Sequence, residues 1–185
     1  MKHERTSISR RGFLKAAGTA AAGLAATVTS PAILRAAAPN EKLNIAFIGV
    51  GGRGEANLDG LQGGNNVVAL CDVDFRQAGK AFKAFTAAKP YRDFRKMFDE
   101  MEKSIDVVAV STPDHTHAVA AMAAIQRKKH VYCEKPLAHS IGEVRALMKA
   151  ARENNVVTQL GNQGHSSGDI RKLVEWVRDG AIGKV

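Results

Sequence analysis

From residue 43 onward the chain alternates short apolar runs with amphipathic stretches, and that alternation predicts its elements. Residues 43–48, 67–71, 105–110, 131–133 and 156–160 are largely apolar and rich in β-branched side chains. Runs of this kind suit strands that are covered on both faces of a parallel sheet. Between them lie stretches at helical spacing: residues 55–61, 75–88, 95–103, 115–128, 140–154 and 169–179. In the second of these, Phe75, Ala78, Phe82 and Phe85 share one face, which reads as core rather than as a cofactor box. Ser140 with Glu143 three residues on forms a capping box. Residues 90–94 read as a short edge element and Gly63-Gly64-Asn65-Asn66 as a turn. Strands alternating with helices through short loops predict an α/β fold, a Rossmann-type doubly wound parallel sheet with right-handed crossovers.

In such a sheet, ligands bind beyond the carboxyl ends of the strands, so the residues that follow each apolar run carry the chemistry. The first run ends in Gly49-x-Gly51-Gly52-Arg53-Gly54 and opens a helix, and Asp72 lies 18 residues past Gly54. This is the dinucleotide fingerprint in its required context. Gly49 permits the tight turn, Gly51 and Gly52 let the backbone approach a pyrophosphate, and Gly54 lets helix pack on strand. The helix start supplies amide donors, and Arg53 adds a positive charge beside the phosphates. Asp72 is expected to accept from the adenosine ribose hydroxyls and to repel a 2′-phosphate. That favours NAD over NADP, with Arg76 placed to reverse the preference.

Three later loops face the same crevice. Ser111-Thr112-Pro113 follows the fourth predicted strand, and its hydroxyls suit the ribose and nicotinamide end. His117, at a helix start, is either a cofactor contact or a simple surface or cap residue. Asn162 and Gln163 follow the last strand and offer amides to a carboxamide or to substrate hydroxyls; the plainer reading is a polar turn. Glu134-Lys135-Pro136 directly follows Val131-Tyr132-Cys133 and brings two opposite charges to one position. A lysine there suits proton transfer when its surroundings favour the neutral amine. Read alone, the pair is more simply a surface ion pair ahead of a helix.

The first 38 residues are expected to lie outside the fold. Ser9-Arg10-Arg11-Gly12-Phe13-Leu14-Lys15 precedes nineteen uncharged residues, 16–34, and Ala36-Ala37-Ala38 offers a small-residue cleavage site. The paired arginines resemble a twin-arginine export signal, which implies the twin-arginine machinery as a partner and a periplasmic or extracellular destination. This leader also distorts the charge. Taking its six basic residues from 27 leaves 21, and taking its one acid from 18 leaves 17, a net charge of +4. A nucleic-acid partner therefore loses its support. The two cysteines, Cys71 and Cys133, make no disulfide framework.

Taken together, Gly49 to Gly54, Leu70-Cys71-Asp72-Val73-Asp74, Thr112-Pro113-Asp114-His115-Thr116-His117, Val131 through Leu137 and Gly180-Ala181-Ile182-Gly183-Lys184-Val185 resemble the Gfo/Idh/MocA oxidoreductase family. The resemblance runs from residue 43 to residue 185. It implies NAD or NADP as cofactor, a sugar, polyol or sugar derivative as substrate, and hydride transfer to the nicotinamide. It assigns Glu134 and Lys135 to the nicotinamide-ribose and substrate side, with Lys135 as the catalytic residue. It also makes His117 and Asn162 cofactor contacts. The implied organisation is a leader at 1–38, a nucleotide-binding domain at 39–180 and the first residues of a C-terminal substrate domain at 181–185, with no room for the rest of that domain. Association into homo-oligomers is then expected only of a full-length protein. Two alternatives stand beside the dehydrogenase. One is an NAD-dependent glycosidase of the same superfamily, against which Lys135 argues because such relatives tend to lack it. The other is a non-catalytic nucleotide-binding fragment.

Overall fold

The structure, a computed structural model, describes residues 42–184. The predicted leader and cleavage site lie outside the described residues. Six strands follow one another: β1 (Asn44–Ile48), β2 (Asn66–Cys71), β3 (Lys89–Tyr91), β4 (Val107–Val110), β5 (His130–Glu134) and β6 (Thr158–Gly161). All neighbours pair in parallel, in the order β3-β2-β1-β4-β5-β6. The order reverses between β1 and β4, and that switch point opens a crevice at the carboxyl ends.

The register lines those ends up. Ile48 pairs with both Cys71 and Val110, and Val110 pairs with Cys133. The next residue of each strand, Gly49, Asp72, Ser111 and Glu134, therefore emerges at one edge.

Alternate residues of each central strand enter different layers. From β1, Ala46 and Ile48 join Met97, Phe98, Val108, Ala121 and Ile125 on one face of the sheet. Ile45 and Phe47 join Leu58, Leu70, Ala81 and Ala109 on the other. The helices that supply these layers are α1 (Arg53–Leu61), α2 (Gly79–Ala84), α3 (Phe94–Met101), α4 (His117–Gln126) and α5 (Ile141–Glu153). A sixth, α6 (Gly168–Arg178), shows exposed Leu173, Val174 and Trp176. Among the described residues, no helix is long and apolar enough to cross a membrane.

Capping chemistry sets several boundaries. Ser140 and Glu143 form the predicted capping box of α5, and the Asp93 side chain accepts from the Arg95 amide to start α3. One predicted helix is shorter than its pattern. Residues 75–88 contain only the six-residue α2. Ahead of it, the Asp72 and Asp74 carboxylates accept from the Asp74 and Arg76 amides and hold those residues in a turn. The aromatic spacing still pays a packing role, since Phe75 lies 4.5 Å from Phe82 across the turn, centroid to centroid. Helix α4 likewise begins at His117, after a 3₁₀ turn over Asp114–Thr116 that follows Pro113.

Two glycines make the junction of β1, α1 and β4 sterically possible. Gly49 has φ +81°, and a Cβ there would lie 2.7 Å from the Ser111 carbonyl oxygen. A Cβ on Gly54 would lie 2.0 Å from the Gly49 carbonyl oxygen, so α1 packs on the loop only without a side chain. Gly54→Ala is therefore expected to cost about 3 kcal/mol through overpacking against rigid backbone. Gly60→Ala, inside the same helix with nothing within 4 Å, is expected to stabilise by about 0.5–1 kcal/mol. Denaturant midpoints of the two variants check both signs.

Candidate cofactor and active site

A crevice of about 510 Å³ lies where the strand order reverses. Gly49, Gly51 and Gly52 form one wall, Asp72 and Asp74 the second, and Ser111, Thr112 and Pro113 the third. Of the fingerprint residues, Gly49, Gly51, Gly52 and Asp72 are thus brought together at one crevice, whereas Arg53 and Gly54 do not line it.

Asp72 has a structural duty here besides the expected one. Its Oδ2 accepts from the amides of Val50 at 2.9 Å and Gly51 at 3.2 Å, while Oδ1 accepts from the Asp74 amide. The carboxylate thereby pins the glycine loop to the end of β2. A carboxylate offers about four lone-pair sites, so capacity for ribose hydroxyls remains. Asp74 holds Arg76 in turn, with its Oδ1 3.2 Å from Nε.

Two observations fit a dinucleotide to this crevice. No side chain caps the start of α1 at Gly52, which leaves that helix end for an anion. Thr112 Oγ1, in the facing wall, is buried without a hydrogen-bond partner. A buried hydroxyl without a partner carries a desolvation cost of about 1–3 kcal/mol, and a ligand hydroxyl, phosphate or carboxamide would relieve it.

Beyond the crevice, the charged edge is organised around Glu134. Its side chain is 5% exposed. Oε1 accepts from Arg53 Nε at 2.9 Å, Gln163 Nε2 at 2.6 Å and Asn57 Nδ2 at 3.2 Å. Oε2 accepts from the Lys135 amide at 3.0 Å. Burial pushes its pKa up, but the donors from Gln163, Arg53, Asn57 and the Lys135 backbone outweigh that and bring it down to about 2. Glu134 is therefore a fixed anion.

Several predicted site residues take places other than those expected. Arg53 spends its Nε on Glu134 rather than standing only beside the phosphates. His117 is 1% exposed, and its ring nitrogens face two carbonyls: Nδ1 lies 2.6 Å from Pro136 O and Nε2 2.7 Å from Thr112 O. It braces the loop after β4 against the loop after β5 and presents no unengaged nitrogen to the crevice. Gln163 turns inward onto Glu134 and Tyr132, whereas Asn162 is exposed and begins the 3₁₀ turn Gln163–Ser166. Lys135 is exposed at the rim, and among the described residues its ammonium enters no ion pair. The surface ion pair between Glu134 and Lys135 does not form.

Two residues of this edge escaped the sequence reading. Asn57 is buried on α1 and touches Ser111, Glu134 and Gln163. Its one signal is a polar residue one turn past Gly54, on the helix face that also carries buried Leu58. Tyr132 meets Gln163 through its hydroxyl; in the sequence it is only part of an apolar run. The two cysteines are free, and burial pushes both thiols up to about 12, which keeps them protonated and inert. No cluster of metal-ligating side chains occurs among the described residues.

Residues 43–162 match the model of the oxidoreductase family with NAD-binding Rossmann fold, GFO_IDH_MocA. The chain belongs to that family, and NAD is the cofactor its fold accommodates. It is 32% identical over 116 residues to levoglucosan dehydrogenase of Pseudarthrobacter phenanthrenivorans, a stretch covering 63% of this chain and 29% of the relative. It is 25% identical over 206 aligned residues to a glycosyl hydrolase family 109 protein of Shewanella pealeana, covering 96% of this chain and 44% of that one. Among solved structures, myo-inositol 2-dehydrogenase from Lactobacillus plantarum is similar at a TM-score of 0.68 and 28% identity, over 78% of this chain and 43% of that one. The chain thus spans less than half the length of these relatives.

The depressed pKa of Glu134 has a consequence for stability. A carboxyl with a lower pKa folded than unfolded binds fewer protons in the native state, so its contribution is present above the ordinary glutamate range. That contribution is lost as pH falls toward 2. Glu134→Gln is expected to cost about 3 kcal/mol at neutral pH, because four donors lose their charged acceptor. The gap to wild type should shrink steadily toward pH 2. Urea midpoints of the two proteins across that range measure it.

Proposed function

We propose that this chain is the coenzyme-holding part of an exported, NAD-dependent dehydrogenase that oxidises a sugar, polyol or sugar derivative. One observation carries the reading. A dinucleotide cradle and the Glu134-Lys135 step emerge at the same sheet edge, in consecutive strands of one register. Bound NAD would supply the hydride acceptor. Lys135, exposed at the rim without an anionic partner, holds the substrate hydroxyl and relays its proton outward as the hydride leaves for bound NAD. Glu134 stays ionised and fixes the backbone from which Lys135 extends.

The substrate class is supported by the names of relatives, levoglucosan dehydrogenase and myo-inositol 2-dehydrogenase. Selection within that class belongs to a second domain at 181 and beyond, and association into oligomers belongs to the longer protein. The choice of NAD over NADP is supported by Asp72 and Asp74 in the crevice wall, with Arg76 paired to Asp74 rather than offered to a 2′-phosphate. Export to the periplasm or beyond rests on the paired arginines Arg10 and Arg11 and the uncharged stretch after them.

A second reading has its own support. The similarity to a glycosyl hydrolase family 109 protein extends over nearly the whole chain. In that case NAD would serve transiently, and the net product would be free sugar without NADH.

Lys135→Ala decides the assignment. In the protein bearing this sequence, NAD titration should be unchanged, while NADH formation from polyols should fall about 100-fold or more. Wild-type rates in the variant would overturn the role of Lys135. Free sugar released from a glycoside, with no NADH accumulating, would favour the second reading instead.

A further inference from the structure

Asn57 is one of three buried polar or charged side chains among the described residues, and it is 4% exposed. It sits on α1 yet joins three other parts of the sheet edge. Its Nδ2 donates to Ser111 Oγ at 2.8 Å in the loop after β4, and to Glu134 Oε1 at 3.2 Å at the end of β5. Its Oδ1 accepts from Gln163 Nε2 at 3.3 Å in the turn after β6. These contacts close loops of 54, 77 and 106 residues in sequence.

From this geometry we infer that Asn57 is a positioning residue, the internal fastener that holds Glu134 in place between the cofactor loop and the turn after β6. The chemistry of the position admits few substitutes. It needs two donors and an acceptor on a short side chain, and the carboxamide provides all three. Aspartate keeps the shape but has no donor, and places an anion against Glu134. Leucine fills the volume and satisfies nothing.

The other side chains on Glu134 do not duplicate Asn57. Arg53 is 52% exposed, so its charge is screened by salt. Gln163 is also exposed, and its single Nε2 has Glu134, Tyr132 and Asn57 as acceptors. Asn57 is the partner that neither salt nor solvent relieves. Through Ser111 it also connects Glu134 to the crevice wall that carries the unpartnered Thr112 hydroxyl.

The test reads Glu134 directly. Carboxyl ¹³C NMR of the 185-residue chain follows its titration in wild type, Asn57→Leu and Asn57→Asp, at low and at high salt. Loss of one hydrogen bond to a charged group should move the Glu134 midpoint upward by about one unit in Asn57→Leu. Asn57→Asp should move it further, by like-charge repulsion. Raising salt should move wild type much less than either substitution does. A midpoint unchanged from wild type in the folded variants overturns the inference. If the leucine protein does not fold, the near-isosteric aspartate protein carries the test. The consequence for catalysis rests on the function proposed above: Asn57→Leu should lower kcat about tenfold with little change in NAD affinity. A Glu134 shift with kcat intact would leave the fastener standing and count against the catalytic role given to that edge.

Discussion

A carboxylate buried at the end of an interior strand keeps its charge only where donors replace the water it has lost. Glu134 meets that condition with three side chains and a backbone amide, from two helical residues of α1, the turn after β6 and its own successor. Each donor must be held in place by its own element, so one buried charge fixes α1, β5 and β6 relative to one another. Removing any partner would leave under-solvated an anion whose own side chain is only 5% exposed. The low pKa and the geometry are two expressions of the same constraint.

The register transmits that constraint to the cofactor side. Because β1, β2, β4 and β5 end level, a residue that fixes one loop can reach the next. Asp72 does so between β2 and the glycine loop, Asn57 between the β4 loop and Glu134, and His117 between the carbonyls of Thr112 and Pro136. Two features of the crevice stand without a partner despite that bracing, the uncapped helix start and the buried Thr112 hydroxyl. Those are the features a dinucleotide would complete. A cradle braced by its own side chains binds with little ordering cost.

Sequence made the fold legible because its signals are local. Strand-length apolar runs and capping residues speak for their own segments, and the glycine spacing fixes a turn next to a helix. The candidate site was legible only as far as strand ends could be recognised, which is why Gly49, Asp72, Ser111 and Glu134 could be expected at the edge where the register puts them. Direction was not legible. Nothing in the string says that His117 turns beneath the edge, or that the Arg53 guanidinium goes to Glu134, because both depend on contacts more than fifteen residues away. Asn57 was hidden for the same reason, a polar residue in an ordinary helix whose partners lie on three other segments. The shortened helix at 75–88 has a different cause. The backbone turns over residues 75–78 ahead of Gly79 and leaves helical geometry at Phe85 (φ −114°, ψ 62°), and side-chain spacing does not report those breaks.

The adjacency of Glu134 and Lys135 takes on a physical meaning once the partners are known. Successive residues of an extended strand point to opposite sides, so neighbouring opposite charges there are poorly placed to pair. Glu134 turns inward and takes Arg53 as its counter-ion, while Lys135 turns out to the rim. Had the two paired, Lys135 would have been neutralised by its neighbour and the carboxylate drawn away from its donors on α1. By sending the carboxylate to α1 instead, the fold anchors the Lys135 backbone through an amide hydrogen bond and leaves its ammonium for a ligand. An acid next to a base in sequence is thereby divided into a buried structural anion and an exposed cation, and the proline that follows contributes the carbonyl that His117 grips.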